Sequence, residues 1–160
     1  MPRPETAIAR SDSVLDRGMC RAHRSRMRKS FTVDEANRML PLVRRIVSDA
    51  VRDYWRWQDA VHEFEVAALR SSPDQPDEIA EQLQGEATRL AGEIDGYMGE
   101  LAELGVMFKG FDTGLVDFPG EIGGRPVLLC WQLGEENVEF WHEENAGFIG
   151  RQPLPGLQVS

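Results

Sequence analysis

The sequence predicts an α+β fold: a long antiparallel helical hairpin followed by a small three- to four-stranded antiparallel sheet. Three observations carry this. Two apolar seams with alternating steps of three and four residues run between Thr32 and Gly105. A breaker, Ser71-Ser72-Pro73-Asp74-Gln75-Pro76, separates them. From Leu104 to Pro155 the pattern changes to short apolar runs divided by glycine and proline, with nine of the chain's 15 glycines. Steps of three and four mark helices, whereas short runs between turn residues mark strands. The expected organisation is a basic tail over 1–30, the hairpin over 31–105, and the sheet with a closing coil over 106–155. Hairpin and sheet form one domain.

The first helix opens on a capping box, Thr32-Val33-Asp34-Glu35, with Phe31 in the staple position before it. Its seam reads Ala36, Leu40, Val43, Val47, Ala50, Tyr54, Trp57, Val61, Phe64 and Ala68. Pro41 lies inside and predicts a kink or break near Arg38–Leu40, because proline lacks an amide and crowds the carbonyl four residues back. A helix of about 38 residues spans about 57 Å, longer than a small sheet can cover. Trp55, Val66 and Leu69 lie off the seam and predict uncovered apolar surface. The second helix opens at Asp77 and Glu78, with its seam at Ala80, Leu83, Ala87, Leu90, Ile94, Tyr97, Leu101 and Leu104. Gly85, Gly92, Gly96 and Gly99 either weaken it or mark a close helix approach. Gly105 is the expected C-terminal cap.

Four strands follow: Val106–Lys109, Gly114–Phe118, Val127–Leu133 and Val138–Glu143. The third is almost wholly apolar and is therefore expected to be central and covered on both faces. Turns are expected at 110–113, 119–124 and 134–137.

The net charge of −9 is unevenly spread. Residues 1–30 carry eight Arg/Lys against three Asp/Glu, and residues 31–160 carry ten against 24. An acidic body repels phosphate, so nucleic acid is an unfavoured partner except through the tail. That tail shows no helical or strand period and is expected to be disordered, and Met27 is an alternative start. Two cysteines, Cys20 and Cys130, imply no disulfide framework and fit a reducing cytoplasm. No apolar run is long enough for a membrane helix.

The residues able to carry chemistry cluster late in the chain. Asp117, Arg125, His142, Glu143 and Arg151 are the candidate ligand-binding set. A Cys130–His142 pair would be the obvious nucleophile and base. A two- or four-residue hairpin loop pairs Trp131 with Phe140 and Leu129 with His142, which turns Cys130 away from His142. A three-residue loop would set them opposite but would split the apolar residues between faces. The first register is expected, with Cys130 a small buried hydrophobe, His142 a hydrogen-bonded structural residue, Trp131 in the core and Trp141 the tryptophan expected to reach solvent, a partner or the helical hairpin. His142, Glu143, Glu144, Asp112 and Asp117 offer metal-ligand atoms without any established ligand spacing. No glycine loop leads into a helix to hold phosphate. Arg125 and Arg151 are expected to pair with Asp117 or Glu143. The sequence names no cofactor and no catalytic residue.

FTVDEANRMLPLVRRIV, GLVDFP and VLLCWQLGEENVEFWHEENAGFIGRQPL together resemble an uncharacterised bacterial family known only as a domain of unknown function. The resemblance spans Phe31 to Pro153 and implies a small cytoplasmic protein with no assigned activity. Two functional readings result. One is a non-enzymatic interaction module that assembles, as a homo-oligomer, through the hairpin. The other is a small-molecule- or metal-binding enzyme around Asp117, Arg125, His142, Glu143 and Arg151, which requires those side chains to share one pocket.

Overall fold

The computed structural model describes residues 29–156. The tail expected over 1–30 and the alternative start at Met27 fall, apart from Lys29 and Ser30, outside the described residues. Helix α1 (Val33–Ala68) and helix α2 (Glu78–Glu103) form the hairpin. Strands β1 (Met107–Gly110), β2 (Leu115–Ile122), β3 (Arg125–Gln132), β4 (Phe140–His142) and β5 (Gln152–Pro153) form one antiparallel sheet in sequential order. The fifth strand comes from the segment expected to be coil.

The helix ends obey local chemistry. The Thr32 hydroxyl accepts the Glu35 amide at 3.1 Å. Asp77 accepts the amides of Ile79 and Ala80 at 2.9 and 3.2 Å. At the end of α2 the Gly105 amide donates to the Ala102 carbonyl and the Val106 amide to the Leu101 carbonyl, both orphan acceptors of the last turn. Of the kink or break expected at Pro41, the break is absent: α1 runs through it as one helix. Pro41 is solvent-exposed, so its missing amide lies on the wet side of the helix.

The first half of the long α1 seam meets the sheet. Val47 meets Gly114 at the start of β2, and Tyr54 stacks on Phe111 with ring centroids 4.2 Å apart. A second stripe, Ile46, Asp53, Ala60 and Ala67, is buried at intervals of seven residues. It faces α2: the Tyr97 hydroxyl donates to Asp53 at 3.0 Å. The core joins Leu40, Val43 and Val47 to Leu101, Phe118, Leu129 and Trp131. Phe31 closes it, edge-on to Phe118 at 5.4 Å, while its amide donates to the Pro119 carbonyl.

β2 continues through Pro119 to a two-residue turn at Gly123-Gly124, both with positive φ, so the wider turn expected at 119–124 is strand. β3 is central and buried from Val127 to Trp131, as its composition predicts.

The connection from β3 to β4 departs from expectation. The pairs are Leu128 with His142, Leu129 with Trp141 and Cys130 with Phe140. The intervening 133–139 segment is not a free hairpin turn. The Trp131 indole N–H donates to the Glu135 carbonyl, and the Glu135 carboxylate accepts the Gln132 amide. The Val138 amide donates to the Asn37 side chain on α1. Anchored at both ends, the segment shifts the register by one residue and reverses which residues share a face. Trp141 therefore packs beside Leu129 in the core shared with the helical hairpin, and not in solvent.

Candidate functional site

The same one-residue shift assembles a polar cluster within the sheet. Asp117 lies opposite Cys130 across β2 and β3, and the β4 register places His142 on the same face, two residues along. All three are buried. One donor atom from each, Asp117 carboxylate oxygen, Cys130 Sγ and a His142 ring nitrogen, lies within 4.8 Å of the others. The expectation that Cys130 points away from His142 is thus overturned. Its burial is as expected.

His142 is held from both sides. Nδ1 lies 2.7 Å from the Glu143 carbonyl oxygen and Nε2 lies 3.0 Å from Asp117 Oδ1. A carbonyl only accepts, so Nδ1 carries a hydrogen and donates it. Nε2 and Oδ1 then share one further proton, and the pair is neutral whichever atom holds it. The Cys130 thiol is pushed up to about 12, first by burial and then by the neighbouring Asp117 charge. A thiol so placed stays protonated at neutral pH and is no nucleophile, so proximity alone does not make the Cys130–His142 pair catalytic.

Two arginines flank the cluster differently. Arg151 Nη2 donates to both oxygens of Glu135 at 2.7 and 2.8 Å. Its guanidinium lies between the rings of Phe140 and Phe148, at 4.1 and 4.9 Å from their centroids. It also reaches the Cys130 carbonyl at 3.5 Å. Arg125 pairs with Glu143 at 2.7 Å, as its chemistry predicts, but both side chains are largely exposed. The five expected ligand-binding residues therefore divide. Asp117 and His142 share the buried centre, Arg151 borders it beside Cys130, and Arg125 with Glu143 forms a surface pair. Glu135 belongs with Arg151 and was missed because its acidic neighbours read as an exposed turn.

An open cavity lies elsewhere. It holds about 620 Å³ at the start of α1, lined by Asp34, Asn37, Glu121, Val138, Glu139 and Leu154 among others. None of the five expected residues lines it.

The conjunction of a capped FTVDEAN helix start with the GLVDFP, LCW and WHE strands extends over nearly all the described fold. The chain belongs to the DUF2203 family of uncharacterized conserved proteins. The family model matches residues 29–154, from just before the α1 cap to the residue after β5. No curated protein and no solved structure matches this DUF2203 chain. Among the described residues of this DUF2203 protein no helix is long and apolar enough to cross a membrane.

The hairpin is the other candidate surface. Tyr54, stacked on Phe111, marks where the sheet stops covering α1. Past it the sheet-facing stripe continues as Trp57, Val61, Phe64 and Ala68, all only half-buried. Against α2 the distal half buries mainly Asp53, Ala60, Ala67, Ala80 and Leu90. A groove of about 410 Å³ opens at the tip between Phe64, Ala68, Ala80 and Gln84. Trp55, Val66 and Leu69 are exposed, as expected, at 45%, 48% and 87%. The glycines of α2 mark no approach to α1: a Cβ added at Gly85, Gly92, Gly96 or Gly99 meets nothing within 4 Å.

Proposed function

We propose that the chain is a non-enzymatic assembly module of the cytoplasm, pairing with a second copy through the distal half of its hairpin. One observation carries the reading. The stripe that α1 buries against the sheet does not end where the sheet ends. It continues as Trp57, Val61, Phe64 and Ala68 at the same spacing, half-buried, and no strand among the described residues is laid over it. Two helices whose shared seam is mostly alanine bury little apolar surface, and an isolated pair of that length is marginal in water. Two copies packed as a four-helix bundle would bury both stripes at about 25 cal/mol per Å² of apolar surface. A closed two-fold arrangement uses the same patch on both chains. The groove at Phe64 and Ala68 gives that patch a recess for a partner side chain.

The test is the double substitution Val61→Glu with Phe64→Glu, followed by light scattering after gel filtration. Its mass should fall to that of one chain while its helical circular dichroism is retained. A variant with the wild-type assembly state would overturn the proposal.

A further inference from the structure

We propose that Asp117, Cys130 and His142 form a binding site for one divalent transition-metal ion, with zinc the best fit. The three donor atoms already converge within 4.8 Å on three adjacent strands. A carboxylate oxygen, a thiolate and an imidazole nitrogen are the donor types that zinc takes, and the sulfur disfavours calcium and magnesium. The imidazole is also oriented as a ligand: Nδ1 is tied to the Glu143 carbonyl, leaving Nε2 aimed at Asp117. Metal-bound histidines are typically fixed by such a bond from the other ring nitrogen.

The nitrogen and oxygen donors already lie near their spacing on zinc. On a tetrahedral zinc a nitrogen and an oxygen ligand sit about 3.3 Å apart. The Nε2 to Oδ1 distance is 3.0 Å. Opening that contact by a few tenths of an ångström reaches the spacing of these two ligands, and the Cys130 sulfur, within 4.8 Å of both, closes on the ion to complete the set.

Charge balances as well. Before binding, Cys130 carries its thiol proton and one proton is shared between Asp117 and His142. Binding releases both. The thiolate and carboxylate then cancel the two charges of the ion, and the buried site stays neutral. Three protein ligands leave the fourth tetrahedral position to a water or a small external ligand. This inference does not depend on how the hairpin assembles.

The experiment treats the full-length protein with chelator, removes the chelator, and titrates it with cobalt(II) and with zinc(II). The expected result is one ion per chain in native mass spectra, with a thiolate-to-cobalt charge-transfer band that zinc abolishes. Cys130→Ser should lose that band. His142→Gln should bind zinc at least about tenfold more weakly, the lower limit reported for losing even an outer hydrogen-bond partner of a metal ligand. Wild-type protein that takes up neither ion in a one-to-one ratio overturns the proposal, and so does a charge-transfer band that survives in Cys130→Ser. The wild-type titration decides even if a variant fails to fold.

Discussion

His142 Nε2 and Asp117 Oδ1 lie 3.0 Å apart, with both side chains at or below 2% exposed. Because Nδ1 is committed to the Glu143 carbonyl, this contact holds one proton between two buried groups. In chelator-treated protein, Asp117→Ala should cost about 3 kcal/mol, since it strands a buried imidazole nitrogen. Asp117→Asn should cost less, about 1 kcal/mol, because its amide can donate to a neutral Nε2. Urea unfolding of the two variants checks this. Equal losses would contradict the shared-proton geometry.

The Cys130 thiol gives a stability signal at alkaline pH. Its folded value is raised from 9.0 to about 12, mainly by burial. Between these values the unfolded chain ionises its thiol while the folded chain retains the proton. Stability therefore falls as pH rises from about 9 to about 12, and this contribution is fully present below pH 9. Tyr97 is raised too and adds a loss of the same sign above pH 10. Thermal melts of wild type and Cys130→Ala should therefore show a stability gap that narrows above pH 9. A constant gap would contradict the burial argument.

Asp53 ties the two helices together. Arg52 donates to it through Nε and Nη2, and the Tyr97 hydroxyl donates from α2. The Arg52 hydrogen bonds, opposed by burial and assisted by Tyr97, hold its carboxyl below the usual 3.8. A depressed carboxylate stabilises the fold above its unfolded value, and that contribution is lost as pH falls below about 3.8. Tyr97→Phe should cost about 1.5–3 kcal/mol at neutral pH, the range for a hydrogen bond to a charged group. Asp53→Asn should flatten the acid limb of the stability curve. Acid titration followed by circular dichroism reads both, and an unchanged acid limb in Asp53→Asn would refute the assignment.

Two glycine substitutions should have opposite signs. Gly114 has a φ of +62°, and an added Cβ would lie 2.8 Å from Leu133 Cβ and 2.9 Å from Val47 Cγ1. Gly114→Ala should destabilise by at least about 1–3 kcal/mol through overpacking and backbone strain. Gly92→Ala meets open space on an exposed helical face and should stabilise by about 1 kcal/mol. Melting temperatures of the two variants decide, and a loss on Gly92→Ala would mean that this face is covered.

The sequence exposes what local chemistry controls. Thr32, Asp77 and Gly105 mark helix ends because each satisfies backbone groups within a few residues. The apolar composition of Val127–Trp131 marks the central strand because a strand covered on both faces is apolar throughout. The site was harder to read because its assembly depends on distant contacts. Whether Cys130 meets His142 turns on one residue of register. That residue is set by Glu135 gripping Trp131 and by Val138 bonding to Asn37, 101 positions away in the chain. Counting loop residues between two apolar runs does not contain that information. The α1 seam was visible, but the same apolar spacing serves a sheet or a helix, so its partner was not.

Assembly through the uncovered half of the hairpin is the central claim, and the mass of the wild-type protein in solution tests it most directly. Sedimentation equilibrium at tens of micromolar should give twice the 18.1 kDa of one chain. A single species of 18.1 kDa across that concentration range would contradict the account.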